Sequence, residues 1–275
     1  YLTSLKSAYK IYKLRKIANK NNIRIISFQS SFFPSIICSI LGLKLIIRIS
    51  EDPVGATIHS DNFFSSFLVM LSKILTYNLS YKIFVNSEQM KLSTEKFIFN
   101  KKKVVLQHNM NLNFIRKYNI SKKKNIFLNL GKFCKQKNQI VILKAFKLFV
   151  DNNYKTKFRL YLCGDGPDKL KLINLTKNLN LTKYVRFYSW QKNTENLFSK
   201  SKFFLLPSLY EGLPNALIEA VNNDLVCMCS NVSGVKDICG KNYISINKHD
   251  HYKLFYKMKL AQKKSQEPYL VEAIS

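Results

Sequence analysis

Ser208-Leu209-Tyr210-Glu211-Gly212-Leu213-Pro214-Asn215-Ala216-Leu217-Ile218-Glu219-Ala220 sets two carboxylates eight positions apart around a Gly-x-Pro-Asn turn that runs into a helix. Pro214 has no backbone donor and tolerates the first helical turn, which predicts a helix starting between Pro214 and Ala216 with its unpaired amides and positive dipole end facing outward. Such an end attracts anions. Glu211 then lies in the loop before the helix and Glu219 on its second turn. Both can accept hydrogen bonds from hydroxyls at the two ends of one ligand, and a sugar attached to phosphate fits this layout. An isolated pair of glutamates at this spacing would also suit a solvated helix face. The apolar run Phe203 to Leu206 before them and the turn between them favour the ligand.

The strand, loop and helix of this stretch are one unit of a longer alternation. Upstream, Asn125 to Leu130, Phe158 to Cys163 and Val185 to Tyr188 read as strands, and downstream Val226 to Cys229 and Tyr243 to Ile246 do so. Helical periods fill the intervals near Asn138 to Val150, Pro167 to Leu179, Thr194 to Ser199 and Asn215 to Asn222. A separate alternation places strands at Ile23 to Phe28, Lys44 to Ile49, Lys82 to Asn86 and Val104 to Gln107. Alternation of this kind predicts α/β architecture: parallel sheets covered by helices on both faces, of the doubly wound, Rossmann-like type. The polar segment His108 to Lys124 carries no sustained strand pattern and separates the two sets. The expected division is a first domain over residues 1–120, a second over 121–265 and a tail over 266–275. The chain opens on Tyr1, and no Gly-rich phosphate loop precedes the first strand pattern, so the first domain is expected to be incomplete at its front.

In doubly wound sheets ligands bind beyond the carboxyl ends of the strands. Gly131, Gly164, Ser189 and Ser208 all fall at those ends, so motifs scattered in sequence are expected to converge in space. Lys132 and Lys137 follow the first strand of the second set, where two cations could clamp a diphosphate and offset the charge that grows as it departs. Gly164-Asp165-Gly166-Pro167 ends a strand and opens a helix, and its glycines let backbone approach a ligand. The third glycine of a dinucleotide fingerprint is missing, which disfavours a nicotinamide-linked oxidoreductase. Trp190, the single tryptophan, is expected to pack in the core. His249 and His251 lack cysteine or carboxylate partners at ligand spacing, and no metal site is expected.

Forty-five basic against sixteen acidic side chains give a formal charge of +29 in 275 residues. That excess favours polyanions such as nucleic acid, anionic lipid or phosphorylated substrates, while the joint abundance of Lys, Asn and Ile is also what an AT-rich genome produces. The six cysteines form no C-x-x-C pair and lie mostly in apolar, strand-like runs, so they read as reduced core thiols of a cytoplasmic protein. No apolar run reaches the length of a membrane span. Phe63 to Leu79 is apolar on one face and carries Lys73, which suits a core helix or a helix lying on a membrane surface.

Taken in order, Gly131-Lys132 with Lys137, Cys163-Gly164-Asp165-Gly166-Pro167, Val185-Arg186-Phe187, Leu206-Pro207-Ser208 and Glu211 to Glu219 resemble the nucleotide-sugar domain of the retaining glycosyltransferases of family 4. The resemblance covers residues 125 to 240 well and 23 to 112 more loosely. It implies the GT-B fold, two such domains facing a cleft, and transfer of a hexosyl group from a UDP- or GDP-sugar to a glycan or lipid-linked acceptor of surface polysaccharide. It implies no cofactor and no metal. In that scheme Glu211 orients the donor sugar, and Lys132 and Lys137 stabilise the leaving diphosphate. The donor is held by Gly131, Gly164, Gly166, Gly212, Leu213, Pro214, Asn215 and Glu219, the last on the ribose. Lys132 stands where the family usually has Arg, so a point charge replaces a bidentate fork. Ser189 stands where Gly is usual, and Asn111 where Asp is. Val85-Asn86-Ser87-Glu88 and His108-Asn109-Met110-Asn111 match segments the family sets near its cleft, and His59 lies in a region that often contacts the transferred sugar. The implied place of work is the cytoplasm or the inner face of the cytoplasmic membrane, with peripheral contact to anionic lipid and no specific nucleic acid. The alternative from another class is a non-catalytic basic binding protein on a degenerate transferase scaffold, attached to anionic membrane or nucleic acid.

Overall fold

The computed structural model describes residues 2–17, 19, 23–29, 32–58, 63–108, 123–152 and 157–264. They group into two compact units. One comprises Tyr1–Met110 with Tyr210–Leu213, the other Asn111–Leu209 with Pro214–Ser275.

The first unit contains α1 (Leu2–Ile17), β1 (Arg24–Phe28), α2 (Phe32–Ile40), β2 (Lys44–Arg48), α3 (Pro53–Ile58), α4 (Phe63–Leu79), β3 (Lys82–Val85), α5 (Glu88–Glu95) and β4 (Val104–Leu106). Its four described strands are all parallel, in the order β1-β2-β3-β4. Leu45, Ile47, Ile83, Val85 and Val104 bury the sheet against Cys38, Tyr77 and Met90. Ser87 caps α5, its hydroxyl accepting from the Met90 amide at 3.3 Å, which gives the Ser-Glu pair a local structural role. The helix α4 is set the opposite way from an ordinary core helix: Lys73, Thr76 and Tyr77 face inward, while Phe67, Leu68, Leu71 and Leu75 are exposed.

The second unit contains β5 (Lys124–Leu130), α6 (Gln139–Asp151), β6 (Arg159–Cys163), α7 (Lys169–Asn178), β7 (Val185–Tyr188), α8 (Glu195–Lys200), β8 (Ser201–Leu206), α9 (Asn215–Asn222), β9 (Val226–Ser230), α10 (Val235–Cys239), β10 (Ile244–Ile246) and α11 (His251–Lys264). Its six described strands run parallel in the order β10-β9-β8-β5-β6-β7. The chain builds outward from β5 on one side, then returns to build on the other, so the switch point lies between β5 and β8. Parallel strands are covered on both faces and therefore read as continuous apolar runs, as Phe203 to Leu206 does. Phe127 anchors one face, its ring stacked on Phe203 at 4.7 Å and on Phe158 at 5.5 Å, with Phe146 and Phe149 of α6 edge-on. Leu254, Met258 and Ala261 of α11 recur at helical spacing and pack into the same core; this helix was not expected from the polar character of its sequence.

Candidate functional site

At the carboxyl ends of β5, β6 and β7 lies a cavity of about 520 Å³ lined by Gly131, Lys132, Cys163, Gly164, Gly166 and Trp190, with Leu130, Asp165, Gln191 and Thr194 completing it. The turn after β5 is pinned to its neighbour: the Gly131 amide donates to the Cys163 carbonyl at 3.0 Å and the Phe133 amide to the Asp165 carbonyl at 2.8 Å. Gly164 sits against this turn so tightly that a Cβ would fall 2.0 Å from the Gly131 carbonyl oxygen, and its φ of +152° is one that side chains rarely allow. The glycines bring the two strand ends into backbone contact and leave the space above them open.

Lys132 is exposed at the rim, its carbonyl accepting from Gln139 Nε2 at 3.1 Å. Lys137 is half-buried at the end of a 3-10 turn (Lys135–Lys137), its aliphatic stem beside Gly131. Asp165 accepts from the Gly166 amide at 2.9 Å and from Lys169 Nζ at 3.0 Å. The Lys169 ammonium first, then that amide, hold its carboxyl below the usual range.

Pro214 caps α9 with φ −74° and ψ 101°, its carbonyl accepting from Leu217 at 2.9 Å, so the helix starts at Asn215 as the turn predicts. Glu219 lies on the second turn, half-buried, and accepts a 2.5 Å hydrogen bond from the hydroxyl of Thr194, itself a lining residue of the cavity. Its charge also reaches the cavity floor. Burial, then the Glu219 carboxylate, raises the Cys163 thiol pKa.

The loop before α9 is held from several sides. Ser230 Oγ donates to the Ser208 carbonyl at 2.6 Å, Lys248 Nζ to the Leu209 carbonyl at 2.6 Å, and Asn138 Nδ2 to the Lys248 carbonyl at 2.6 Å. Beyond Leu209 the chain joins the first unit. Glu51 forms an antiparallel bridge with Gly212, and the Asp52 amide donates to the Glu211 carbonyl at 3.1 Å. Gly212 meets the Ser50 carbonyl so closely that a Cβ would lie 2.0 Å from its oxygen.

Gly131, Lys132, Gly164 and Gly166 thus come together around one cavity, with Lys137 and Glu219 directly behind its lining. Pro214 and Asn215 open α9 in the same unit, whereas Glu211, Gly212 and Leu213 group with the first. Glu211 is 5% exposed, where Tyr210–Leu213 pack on the segment after β2. One expectation needs correction. Trp190 is 72% exposed and lines the cavity instead of packing in the core, because the chain leaves the sheet at Tyr188. Thr194 was also missed; a polar residue in a loop after a strand carries no signal that separates it from an ordinary solvated position. His59, Asn109, Met110 and Asn111 lie outside the described residues. Among the described residues no group of three or more His, Cys, Asp or Glu could hold a metal ion, and no helix is long and apolar enough to cross a membrane.

The parallel sheet, with a glycine-walled cavity at its strand ends, defines a doubly wound α/β unit of the kind that holds ligands beyond the carboxyl ends of its strands. Residues 111–265 match the glycosyl transferases group 1, and the chain belongs to that family. It is 30% identical over 194 residues to an uncharacterized glycosyltransferase of Methanocaldococcus jannaschii, covering 66% of this chain and 47% of that protein. It is 33% identical over 111 residues to the UDP-Gal:alpha-D-GlcNAc-diphosphoundecaprenol alpha-1,3-galactosyltransferase of Escherichia coli, covering 40% of this chain and 28% of the relative. A Campylobacter jejuni N-acetylgalactosaminyltransferase acting on a diphospho-undecaprenol glycan is 25% identical over 251 residues, 87% of this chain and 66% of its own. The chain therefore spans about half or less of the first two relatives. Among solved structures, Anabaena HepE in complex with UDP superposes with a TM-score of 0.71 at 14% identity, over 94% of this chain and 73% of that one. A sucrose-phosphate synthase of Thermosynechococcus elongatus gives 0.73 at 15% identity, over 94% and 68%. The two parallel sheets and these likenesses give the fold class as GT-B.

Proposed function

We propose that this protein is a retaining hexosyltransferase that moves a sugar from a UDP-sugar to a polyprenyl-diphosphate-linked glycan in surface polysaccharide synthesis. The observation that carries the reading is the cavity at the ends of β5 to β7, open over Gly131 and Gly164, with a lysine at its rim and Glu219 bonded to its wall. The UDP held by HepE and the lipid-linked acceptors named for the bacterial relatives support the choice of donor and acceptor class. GDP-sugars are the other donor class that the cavity chemistry admits.

In this reading Glu219 accepts from the ribose hydroxyls, Lys132 and Lys137 neutralise the diphosphate, and Glu211 orients the sugar. Gly131, Gly164, Gly166 and the segment Gly212 to Asn215 bring backbone to the donor. The acceptor oxygen bonds to the anomeric carbon on the face from which the diphosphate leaves. The anomeric C–O bond breaks with its electron pair going to the phosphate oxygen, and that oxygen takes the acceptor proton. Cationic side chains in place of a metal make the reaction independent of divalent ions. The charge of +29 and the exposed leucines of α4 support work at an anionic bilayer surface, the inner face of the cytoplasmic membrane, where such an acceptor is held.

The test is a panel of UDP- and GDP-sugars offered to the intact protein, read as donor-induced thermal shift and as nucleotide release with a lipid-linked N-acetylhexosamine acceptor. A UDP-sugar is expected to raise the melting temperature and to be turned over. Turnover is expected to persist in EDTA, and loss that Mg²⁺ or Mn²⁺ restores would reject metal independence. Trp190 offers a flat exposed face at the cavity, suited to stacking on the base. Trp190→Ala is expected to weaken UDP binding by about 1 to 3 kcal/mol, the worth of one base-aromatic stack. Calorimetry with UDP checks it, and unchanged affinity would remove Trp190 from the site.

A further inference from the structure

Lys73 is the one charged residue of α4 and the helix turns it inward, 8% exposed, while Leu75 beside it is 49% exposed. Burying an ammonium and leaving leucines outside is costly unless the charge is hydrogen-bonded. Its bonds all go to one short element. Lys73 Nζ donates to the Pro53 carbonyl and to Thr57 Oγ1, each at 2.7 Å, and Thr57 Oγ1 in turn donates to the Pro53 carbonyl at 2.7 Å. Pro53 opens α3, whose first amides, Val54 and Gly55, donate to the Asp52 carboxylate at 3.3 Å. The next bond along this backbone is Asp52 N–H to the Glu211 carbonyl, beside the Glu51 to Gly212 bridge. The Lys73 ammonium therefore clamps the segment on which Glu211 and Gly212 are seated.

We propose that Lys73 is a positioning residue that fixes Glu211 through α3 and Asp52. The proposal rests on the reading in which Glu211 orients the donor sugar. Electrostatics agree with the geometry: burial pushes the Lys73 amine down to about 8, and the carboxylates of Asp52 and then Glu51 oppose that shift. Tyr77, one turn along α4, is raised by burial and by the same Asp52. Of the helices packed on α4, α3 has no ionisable side chain and α2 has only the Cys38 thiol, while Lys103 Nζ lies near the far end of α4, on the Asn78 carbonyl at 2.9 Å. Asp52 and Glu51 are thus the charges that face Lys73, and both lie in the segment it holds.

The experiment is a double-mutant cycle in the intact protein with Lys73→Met and Glu211→Gln, using UDP-galactose and UDP-N-acetylgalactosamine as donors and UDP as the binding probe. Methionine keeps the length of the side chain and removes the donor. Lys73→Met is expected to lower kcat on the order of 10- to 100-fold, the effect of a small displacement of an orienting group. The KM for donor and the affinity for UDP should stay unchanged, a split that general loss of structure would not give. In the Glu211→Gln background the same change should add little. If Glu211→Gln is impaired and Lys73→Met turns over at the wild-type rate, or if the two losses multiply, the proposal falls alone. If Glu211→Gln is itself at the wild-type rate, the donor reading falls and takes the proposal with it. Should Lys73→Met not fold, Thr57→Val, which removes one of the two acceptors and keeps the charge, decides by the same cycle with a smaller loss expected.

Discussion

Gly164→Ala is expected to destabilise the second unit by about 2 to 6 kcal/mol, summing about 1 to 3 for a side chain at an unfavourable backbone angle and about 1 to 3 for overpacking. The new Cβ would lie 2.0 Å from the Gly131 carbonyl oxygen and 3.3 Å from the Phe133 ring, and the first of these is backbone that cannot rotate away. Relief would require β6 and the turn after β5 to separate, breaking the bond from the Gly131 amide to the Cys163 carbonyl. A loss of this size is a large part of the total stability of an ordinary domain, roughly 5 to 15 kcal/mol. Urea unfolding followed by circular dichroism measures it. Gly240→Ala is the control: its φ of +58° is also unfavourable for a side chain, but nothing lies within 4 Å of its Cβ. It should show only the backbone cost, about 1 to 3 kcal/mol. Equal shifts for the two variants would mean that the close approach at Gly164 contributes nothing.

The sequence made the sheets legible because parallel strands are buried on both faces and must be written as apolar runs. All ten described strands fall where those runs predict, and α9 begins at Asn215 because Pro214 leaves little choice. The positions of the glycines and lysines around the cavity were legible for a related reason, since they occupy the loops that follow those strands. Three features were not. Glu211 stands in a loop whose sequence gives no sign that Tyr210–Leu213 pair with Glu51 and Asp52, a contact between segments some 160 residues apart in the chain. Trp190 was assigned to the core on residue type alone, but an aromatic ring beyond the last residue of a strand has no second sheet face to cover it. The apolar face of α4 suits either a core or a membrane surface, and the acceptors on Pro53 and Thr57, distant in sequence, are what turn Lys73 inward. In each case the missing information is a long-range contact, which local periodicity cannot encode.

Glu219→Gln is expected to weaken UDP binding by about 1 to 3 kcal/mol, the worth of hydrogen bonds to a charged acceptor, or about 5- to 150-fold in affinity. The proposed assignment gives Glu219 the ribose, which both donor and product carry, so UDP and UDP-sugar should suffer alike. Thr194→Ala should shift UDP affinity in the same direction and by less, because the Thr194 hydroxyl only orients the Glu219 carboxylate through its 2.5 Å bond. Glu211→Gln should behave differently. UDP no longer carries the sugar, so its affinity should be unchanged while turnover falls on the order of 10- to 100-fold through lost orientation. Since Glu211 is 5% exposed, glutamine is the informative replacement: it keeps the shape of the side chain, whereas alanine would add a cavity to the loss of charge. Calorimetry with UDP beside initial rates for the three variants separates these effects. Equal loss of UDP binding in the Glu211 and Glu219 variants, or loss in neither, would overturn the division of roles even where hexosyl transfer itself is confirmed.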